Sequence, residues 1–296
     1  MRARREPDPA PAISVVLCAR NAASTIDAQL QGLARQVIDR AWELLVVDNG
    51  CTDATMDIVS TAALPAPVRI IDARDVAGLA HARNVGVAAA AAPLVAFCDA
   101  DDVVEPGWLA ALLAAFADAD YVGGRLDVTG LNSAAVVEWR GGSPTVDGLP
   151  VAYGYLPYAV GANFAVRRSL FDQIGGCDER FTICCDDIDL SWRAQEAGGV
   201  LAYAAAAAVQ YRLRADLRDV ARQQWRYGTA EPMLLRKFPD RMRWGGWPDA
   251  LRSWRYLLTR PDHLVRGPRL RGRYVRVAAY RAGRIAGALR HRTWWL

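Results

Sequence analysis

The chain has 296 residues, of which 52% are hydrophobic and 23% charged, with a formal net charge of +4. This balance excludes a disordered chain, and the length suffices to bury a substantial core in one or two domains. No run of about 18 apolar residues occurs, so a membrane-spanning helix is not expected.

The opening MRARREPDPAPA lacks the apolar centre of a secretory signal, and residues 1–11 read as a disordered arm. ISVVLCA from Ile13 reads as a strand. NAASTIDAQLQGLARQ follows as a helix, with Ile26, Leu30 and Leu33 on one face. WELLVVDNG and DATMDIVSTA repeat the strand and helix. VRIIDA, LAHARNVGVAAA and LVAFCDAD give a third strand, a third helix and a fourth strand. These strands are continuously apolar rather than alternating, as expected when helices cover both faces of a sheet. The repetition predicts a doubly wound, mostly parallel α/β sheet with right-handed crossovers. In such sheets ligands sit beyond the carboxyl ends of the strands.

Asp48 closes the second strand and Asp99 the fourth, with Asp101 and Asp102 just past it. Carboxylates gathered at one sheet edge repel one another and raise their own pKa values. A hard divalent cation relieves that, with a diphosphate completing its shell. The bland alternative is a solvated acidic turn, with Asp102 near the cap of the helix PGWLAALLAAF and Pro106 in its first turn. No G-x-G-x-x-G follows the first strand and no Walker Gly-Lys-Ser/Thr occurs. Both absences argue against a dinucleotide oxidoreductase and a P-loop phosphotransferase.

Downstream, FTICCDDIDLSWRAQEAG reads as a helix start, with Asp186 and Asp187 as acids in the first turn. DLRDVARQQWRYGTAEPMLLRKF reads as a helix and a turn. Two basic segments follow, broken by Pro261 and Pro268. From Arg241 onward only Asp249 and Asp262 oppose the recurring arginines. Val275, Ala279, Ala282 and Ile285 can share one helix face, and Trp294 and Trp295 end the chain. Two readings stay open for this tail. It is an interfacial helix on an anionic membrane surface, or a basic helix packed on its own α/β domain. Nucleic acid is not expected, since no recognition motif accompanies the charge. The six cysteines, Cys18, Cys51, Cys98, Cys177, Cys184 and Cys185, form no CxxC pair. Reduced thiols in a cytoplasmic protein are therefore expected, with the tail as a peripheral contact at the inner membrane face.

ISVVLCARN, LLVVDNGCTDAT, GLAHARNVGVAAA and LVAFCDADD, in that order, resemble glycosyltransferase family 2. These are inverting nucleotide-sugar transferases of the Rossmann-like GT-A fold. The resemblance runs from about Ala12 to Tyr211. The segment at Asp186-Asp187-Ile188-Asp189-Leu190 with Arg193 looks like the family's acidic acceptor-side motif. QQWRYG is similar to its Gln-x-x-Arg-Trp element, with Tyr227 in place of Trp.

The resemblance implies a GT-A domain over 12–211, split into a nucleotide-sugar half (12–102) and an acceptor half (103–211). A helical basic extension covers 212–296. It implies that Cys18, Arg20, Asp48, Arg83, Asp99 and Asp101 bind the nucleotide sugar. Asp101 and Asp99 would hold Mn2+ or Mg2+. Asp187, with Asp186 next, would act as the catalytic base. Gly161, Asn163 and Trp192 would line the acceptor site, and Arg226 would meet the diphosphate. The partners are then a nucleotide-diphosphate sugar donor and a hydroxyl-bearing acceptor: a cell-envelope glycan, a lipid-linked sugar or a natural product. A sugar-phosphate nucleotidyltransferase and a non-catalytic sugar-nucleotide-binding protein are the alternatives.

Overall fold

The computed structural model describes residues 10–182, 184–241 and 246–293, with backbone alone for 246–248. Most of the expected arm, and both Trp294 and Trp295, lie outside the described residues.

The first half alternates as expected: β1 (Ile13–Ala19), α1 (Ile26–Ala34), β2 (Trp42–Asp48), α2 (Thr55–Ser60), β3 (Val68–Asp72), α3 (Leu79–Ala89) and β4 (Leu94–Asp99). The second half runs β5 (Val103–Val104), α4 (Trp108–Ala115), β6 (Tyr121–Asp127), α5 (Ala134–Arg140), β7 (Asn163–Arg167), α6 (Arg168–Gln173), α7 (Asp186–Glu196) and β8 (Leu201–Gln210). Then come α8 (Leu217–Lys237), α9 (Gly246–Thr259), a 3-10 turn at Pro261–Leu264 and α10 (Pro268–His291). No helix among the described residues is long and apolar enough to cross a membrane.

One sheet of eight strands has the order β3-β2-β1-β4-β7-β6-β8-β5. β1 to β4 pair parallel, as the apolar runs predict. β7 then reverses against both β4 and β6, β8 returns parallel to β6, and β5 lies antiparallel to β8. The sheet is therefore mixed in its second half. Both faces of the inner strands are covered. Val15, Leu17, Leu44 and Val46 pack with Leu30 and Leu33 of α1 and Trp108 and Leu112 of α4. Val16, Leu45, Val47 and Phe97 pack with Ala80 and Val87 of α3 and Phe171 of α6. The edge strand β3 departs from this, with Ile70 46% exposed.

The helical extension lies against the α/β body. Lys237 at the end of α8 contacts Asp178 Oδ2 at 2.7 Å and the buried Asp189 Oδ1 at 2.5 Å. α10 lies along α8, but not through the aliphatic face seen in the sequence. Its contact face carries glycines: a Cβ at Gly283 would sit 2.2 Å from the Trp225 carbonyl oxygen. Conversely, a Cβ at Gly228 would sit 2.3 Å from the Tyr280 carbonyl oxygen. Beside this close approach, buried Glu231 accepts from the Tyr153 and Tyr280 hydroxyls and lies 3.3 Å from Arg284 Nε. Ile285 and Leu289 of α10 stay 36% and 77% exposed. α10 also reaches α5, where Arg276 Nη1–H donates to the Arg140 carbonyl at 2.6 Å.

Gly283→Leu cannot be accommodated without separating α10 from α8. It is expected to cost about 1–3 kcal/mol of stability, the usual scale for overpacking, read from the midpoint of urea unfolding.

Candidate active site

The strand register carries the carboxylates to one edge. Cys18 of β1 lies opposite Val47 and Asp99, and Ala19 lies opposite Asp48. Beyond β4, oxygen atoms of Asp99, Asp101 and Asp102 all lie within 4.8 Å of one another. Asp102 is 1% exposed. Its Oδ1 accepts the Arg212 backbone N–H at 2.7 Å, while Oδ2 has no hydrogen-bond partner. It is not a helix cap, since Gly107 occupies that position on α4. Burial, reinforced by Asp99 and Asp101, holds the Asp102 carboxyl well above its ordinary range. Burial also pushes Asp99 up to about 7, with Arg83 opposing and Asp101, Asp186 and Asp187 adding to the rise. Asp101 pairs with Arg214 at 2.7 Å. Three hard oxygen donors, one of them a buried orphan, fit a divalent cation of the Mg2+ or Mn2+ type. Asp102 joins the two ligands expected from sequence.

Around the start of α7 the geometry turns on Arg83. This α3 side chain is 2% exposed. It pairs with Asp186, and its Nη2–H donates to the Gly161 carbonyl at 2.7 Å. Its guanidinium lies 5.2 Å from the Phe164 ring centre. Arg83 is thus paired with the acidic motif while also lining the cavity. A Cβ at Gly161 would lie 2.8 Å from Arg83 Nη2, so a side chain here would push the guanidinium from its place. Asp186 and Asp187 both line the cavity, Asp186 nearly fully buried in its pair with Arg83 and Asp187 more open. Asp187 Oδ2 accepts the Gly161 N–H at 3.0 Å and Oδ1 accepts the Ile188 N–H at 2.9 Å. Burial and the adjacent Asp186 push Asp187 up to about 6. Cys185 has a left-handed φ of 68°, a turn that non-glycine residues rarely adopt, immediately before this pair.

Two expected acceptor contacts do not face the cleft. Asn163 is fully buried. Its Oδ1 accepts from Trp108 Nε1–H at 2.8 Å, and its Nδ2 donates to the Arg125 and Ala207 carbonyls. It ties α4, β6 and β8 together. Trp192 is also fully buried, edge-on to Tyr155 and Phe238 at 5.1 and 5.2 Å, so no sugar can stack on it. Neither residue lines the cleft. On the nucleotide side, Asp48 Oδ1 accepts the Gly50 and Cys51 N–H groups at 3.0 and 2.8 Å, while Oδ2 approaches Arg74 Nε at 4.0 Å. Asn49 beside it donates to the Ala73 and Val76 carbonyls and accepts the Gly78 N–H, fastening the β3–α3 loop. Arg20 is exposed at the exit of β1. Burial pushes the Cys18 thiol up to about 12.

One cavity of about 1010 Å³ takes in Asp99, Asp101, Arg83, Gly161 and Asp187, and Arg226 opens onto it from α8. Sequence reasoning missed Arg140, Arg214, Tyr158 and Glu231, which line it too. For Arg226 the Gln-x-x-Arg spacing was the signal. For Arg214, held only through its contact with Asp101, the sequence holds none.

The family model for Glycosyl transferase family 2 matches residues 14–175. The chain belongs to glycosyltransferase family 2. It is 32% identical over 240 residues to the pre-mycofactocin glycosyltransferase of Mycobacterium tuberculosis, covering 77% of this chain and 48% of that protein. The chain thus spans about half the length of that relative. The PGL/p-HBAD biosynthesis glycosyltransferase of Mycobacterium bovis is 31% identical over 182 residues, covering 60% of this chain and 67% of that protein. In structure, the chain resembles the mannosyltransferase PcManGT of Pyrobaculum calidifontis, solved with GDP-Man and Mn2+. That match has a TM-score of 0.61 at 18% identity and covers 95% of this chain and 88% of the other. It shows the GT-A fold.

The raised Asp187 has a stability signature in the metal-free protein. Its folded pKa lies above the ordinary value, so its contribution to stability is present at acid pH and lost as pH rises through about 6. Asp187→Asn is therefore expected to stabilise the metal-free protein at about pH 8 by on the order of 1 kcal/mol, and by progressively less toward about pH 4. Urea unfolding at the two pH values in the presence of a chelator measures the difference.

Proposed function

We propose that the protein is a metal-dependent inverting glycosyltransferase that moves a sugar from a nucleotide-diphosphate donor to an acceptor hydroxyl. The observation that carries this reading is the shared cavity. Asp99 and Asp101, of a three-carboxylate group suited to a divalent cation, and a separate carboxylate of raised pKa open onto one space. When Mn2+ or Mg2+ is bound at Asp99, Asp101 and Asp102, it supplies Lewis-acid stabilisation of the departing diphosphate. The solved neighbour with GDP-Man and Mn2+ supports that choice of donor class and ion.

In this reading Asp187 is the base. Its two oxygens are oriented by the Gly161 and Ile188 N–H groups, and a carboxylate poised near 6 is partly ionised yet basic enough to take a hydroxyl proton. The hydroxyl oxygen bonds to the anomeric carbon as the bond to the diphosphate breaks on the opposite side. Asp186 does not touch substrate; it holds Arg83, which in turn holds the Gly161 carbonyl. Cys18, Arg20 and Asp48, at the exits of β1 and β2, take the base and ribose. Arg226 meets the diphosphate from the α8 wall.

The tail reading combines both sequence alternatives. The glycine face of α10 packs on α8, while Leu258, Val265 and Leu289 remain 78%, 85% and 77% exposed among arginines. This exposure supports contact with an anionic membrane at the cytoplasmic face. The full-length protein is expected to sediment with anionic vesicles at low salt and to be released as salt rises, since screening weakens each arginine–headgroup contact. Indifference to anionic vesicles at low salt removes the membrane contact.

For the chemistry, Asp187→Asn is expected to lower turnover of the natural or hydrolytic reaction at least about 100-fold with donor affinity unchanged. Asp101→Ala is expected to abolish Mn2+-dependent nucleotide affinity. A screen of nucleotide sugars by thermal shift, followed by steady-state rates, measures both, and a near-normal turnover in Asp187→Asn sinks the assignment of the base.

A further inference from the structure

The α5–α8 wall of the cavity carries positive charge that the transfer chemistry leaves unassigned. Arg140 is the last residue of α5 and lines the cavity. Its Nη2–H donates to Gln223 Oε1 at 2.8 Å. Its Nε and Nη1 are buried and have no hydrogen-bond partner among the described residues. No carboxylate lies within ion-pair distance of it among those residues. Burial lowers its pKa, and the neighbouring cations Arg276 and Arg214 lower it further. Arg276 is itself lowered by burial and by Arg273. A half-buried guanidinium surrounded by cations is unfavourable in the empty protein, because desolvation is not offset by any counter-ion.

Gln223 holds this charge in place. Its Oε1 accepts from Arg140, while its Nε2–H donates to the Tyr227 hydroxyl at 3.1 Å. Arg226 stands one turn on, on the same face of α8, opening into the same cavity without an ion pair among the described residues. The contacts of the Arg140 side chain come from α5 and α8, and its backbone carbonyl is held by α10. None of these comes from the nucleotide half. The cation that touches the carboxylate group is instead Arg214, at 2.7 Å from Asp101.

We propose that Arg140, positioned by Gln223, forms an oxyanion-binding subsite distinct from the metal–diphosphate site, which holds a phosphate or carboxylate group of the acceptor. The inference rests on reading the cavity as the transfer cleft, and it narrows the acceptor to an anionic one. A planar guanidinium with two unused N–H directions matches either oxyanion. The field of the uncompensated charge draws such a group in even before contact.

Inorganic phosphate is the probe, titrated calorimetrically into the full chain in two states. In the metal-free state the carboxylates repel anions, so phosphate binding reports the arginine wall alone. In the second state the protein is saturated with Mn2+ and UDP or GDP, whichever stabilises it. Saturable phosphate binding is expected in both, at least tenfold weaker in Arg140→Gln and largely restored in Arg140→Lys. Arg140→Gln is also expected to unfold no earlier than wild type in phosphate-free buffer, because it removes an unpaired buried charge. Three results overturn the proposal. One is phosphate binding equal in Arg140→Gln and wild type, or absent from both. Another is phosphate displaced by the nucleotide, which makes the wall part of the donor site. The third is an Arg140→Gln protein less stable than wild type, which makes Arg140 a structural tie. Failure of any nucleotide to bind instead strikes at the transferase reading, and the metal-free titration still decides on the subsite.

Discussion

The buried pair between Arg83 and Asp186 is the contact on which the centre depends. Five carboxylates, Asp99, Asp101, Asp102, Asp186 and Asp187, meet where β4 and the start of α7 converge. In a desolvated setting each raises the cost of ionising the next. Arg83 enters from α3, cancels one of those charges and holds the Gly161 carbonyl with the same guanidinium. It thereby fixes the strand end whose N–H orients Asp187. Removing Arg83 leaves Asp186 as an uncompensated buried charge, the costly half of a broken ion pair. The placing of the Asp187 carboxylate therefore depends on a guanidinium that does not itself touch it.

A second anchor joins the helical extension to this centre. Asp189, three positions after Asp186, is fully buried between Arg193 of its own helix and Lys237 of α8. Trp192 and Phe238 pack edge-on beside it. The acidic motif thus divides its labour: Asp186 holds the floor, Asp187 faces the cleft and Asp189 fastens the wall. Glu231 extends the same wall by gathering Tyr153, Tyr280 and Arg284 around one carboxylate. α8 and α10 complete the cavity rather than trail from it.

The half of the chain up to Asp99 was legible in the sequence because its signal is local. β1, β2 and β4 are apolar runs that end in the carboxylates they deliver, and each helix between them keeps its own period. The second half was harder for physical reasons. β8 is mostly alanine, which carries little strand preference, and its pairing with β5 joins residues about a hundred positions apart. Asn163 and Trp192 have side chains as suited to a sugar site as to a core, and only burial separates the two. Asp102 read as a turn acid because its partner, the N–H of Arg212, lies 110 positions along the chain. The arginine wall had no local signature beyond Gln-x-x-Arg, since Arg140 joins it through Gln223 from another helix.

The spacing of Arg83 and Asp186, 103 positions apart, bears on how the chain comes together during synthesis. β3, β2, β1 and β4 are adjacent in the sheet and complete by Asp99, so this half can pair while the rest is still being made. Arg83 is then drawn toward the sheet edge before Asp186 exists. The carboxylate at hand is Asp99, whose attraction to Arg83 persists in the finished protein. In the finished protein Arg83 thus acts on two carboxylates from opposite ends of the chain's order of synthesis, attracting Asp99 and pairing with Asp186.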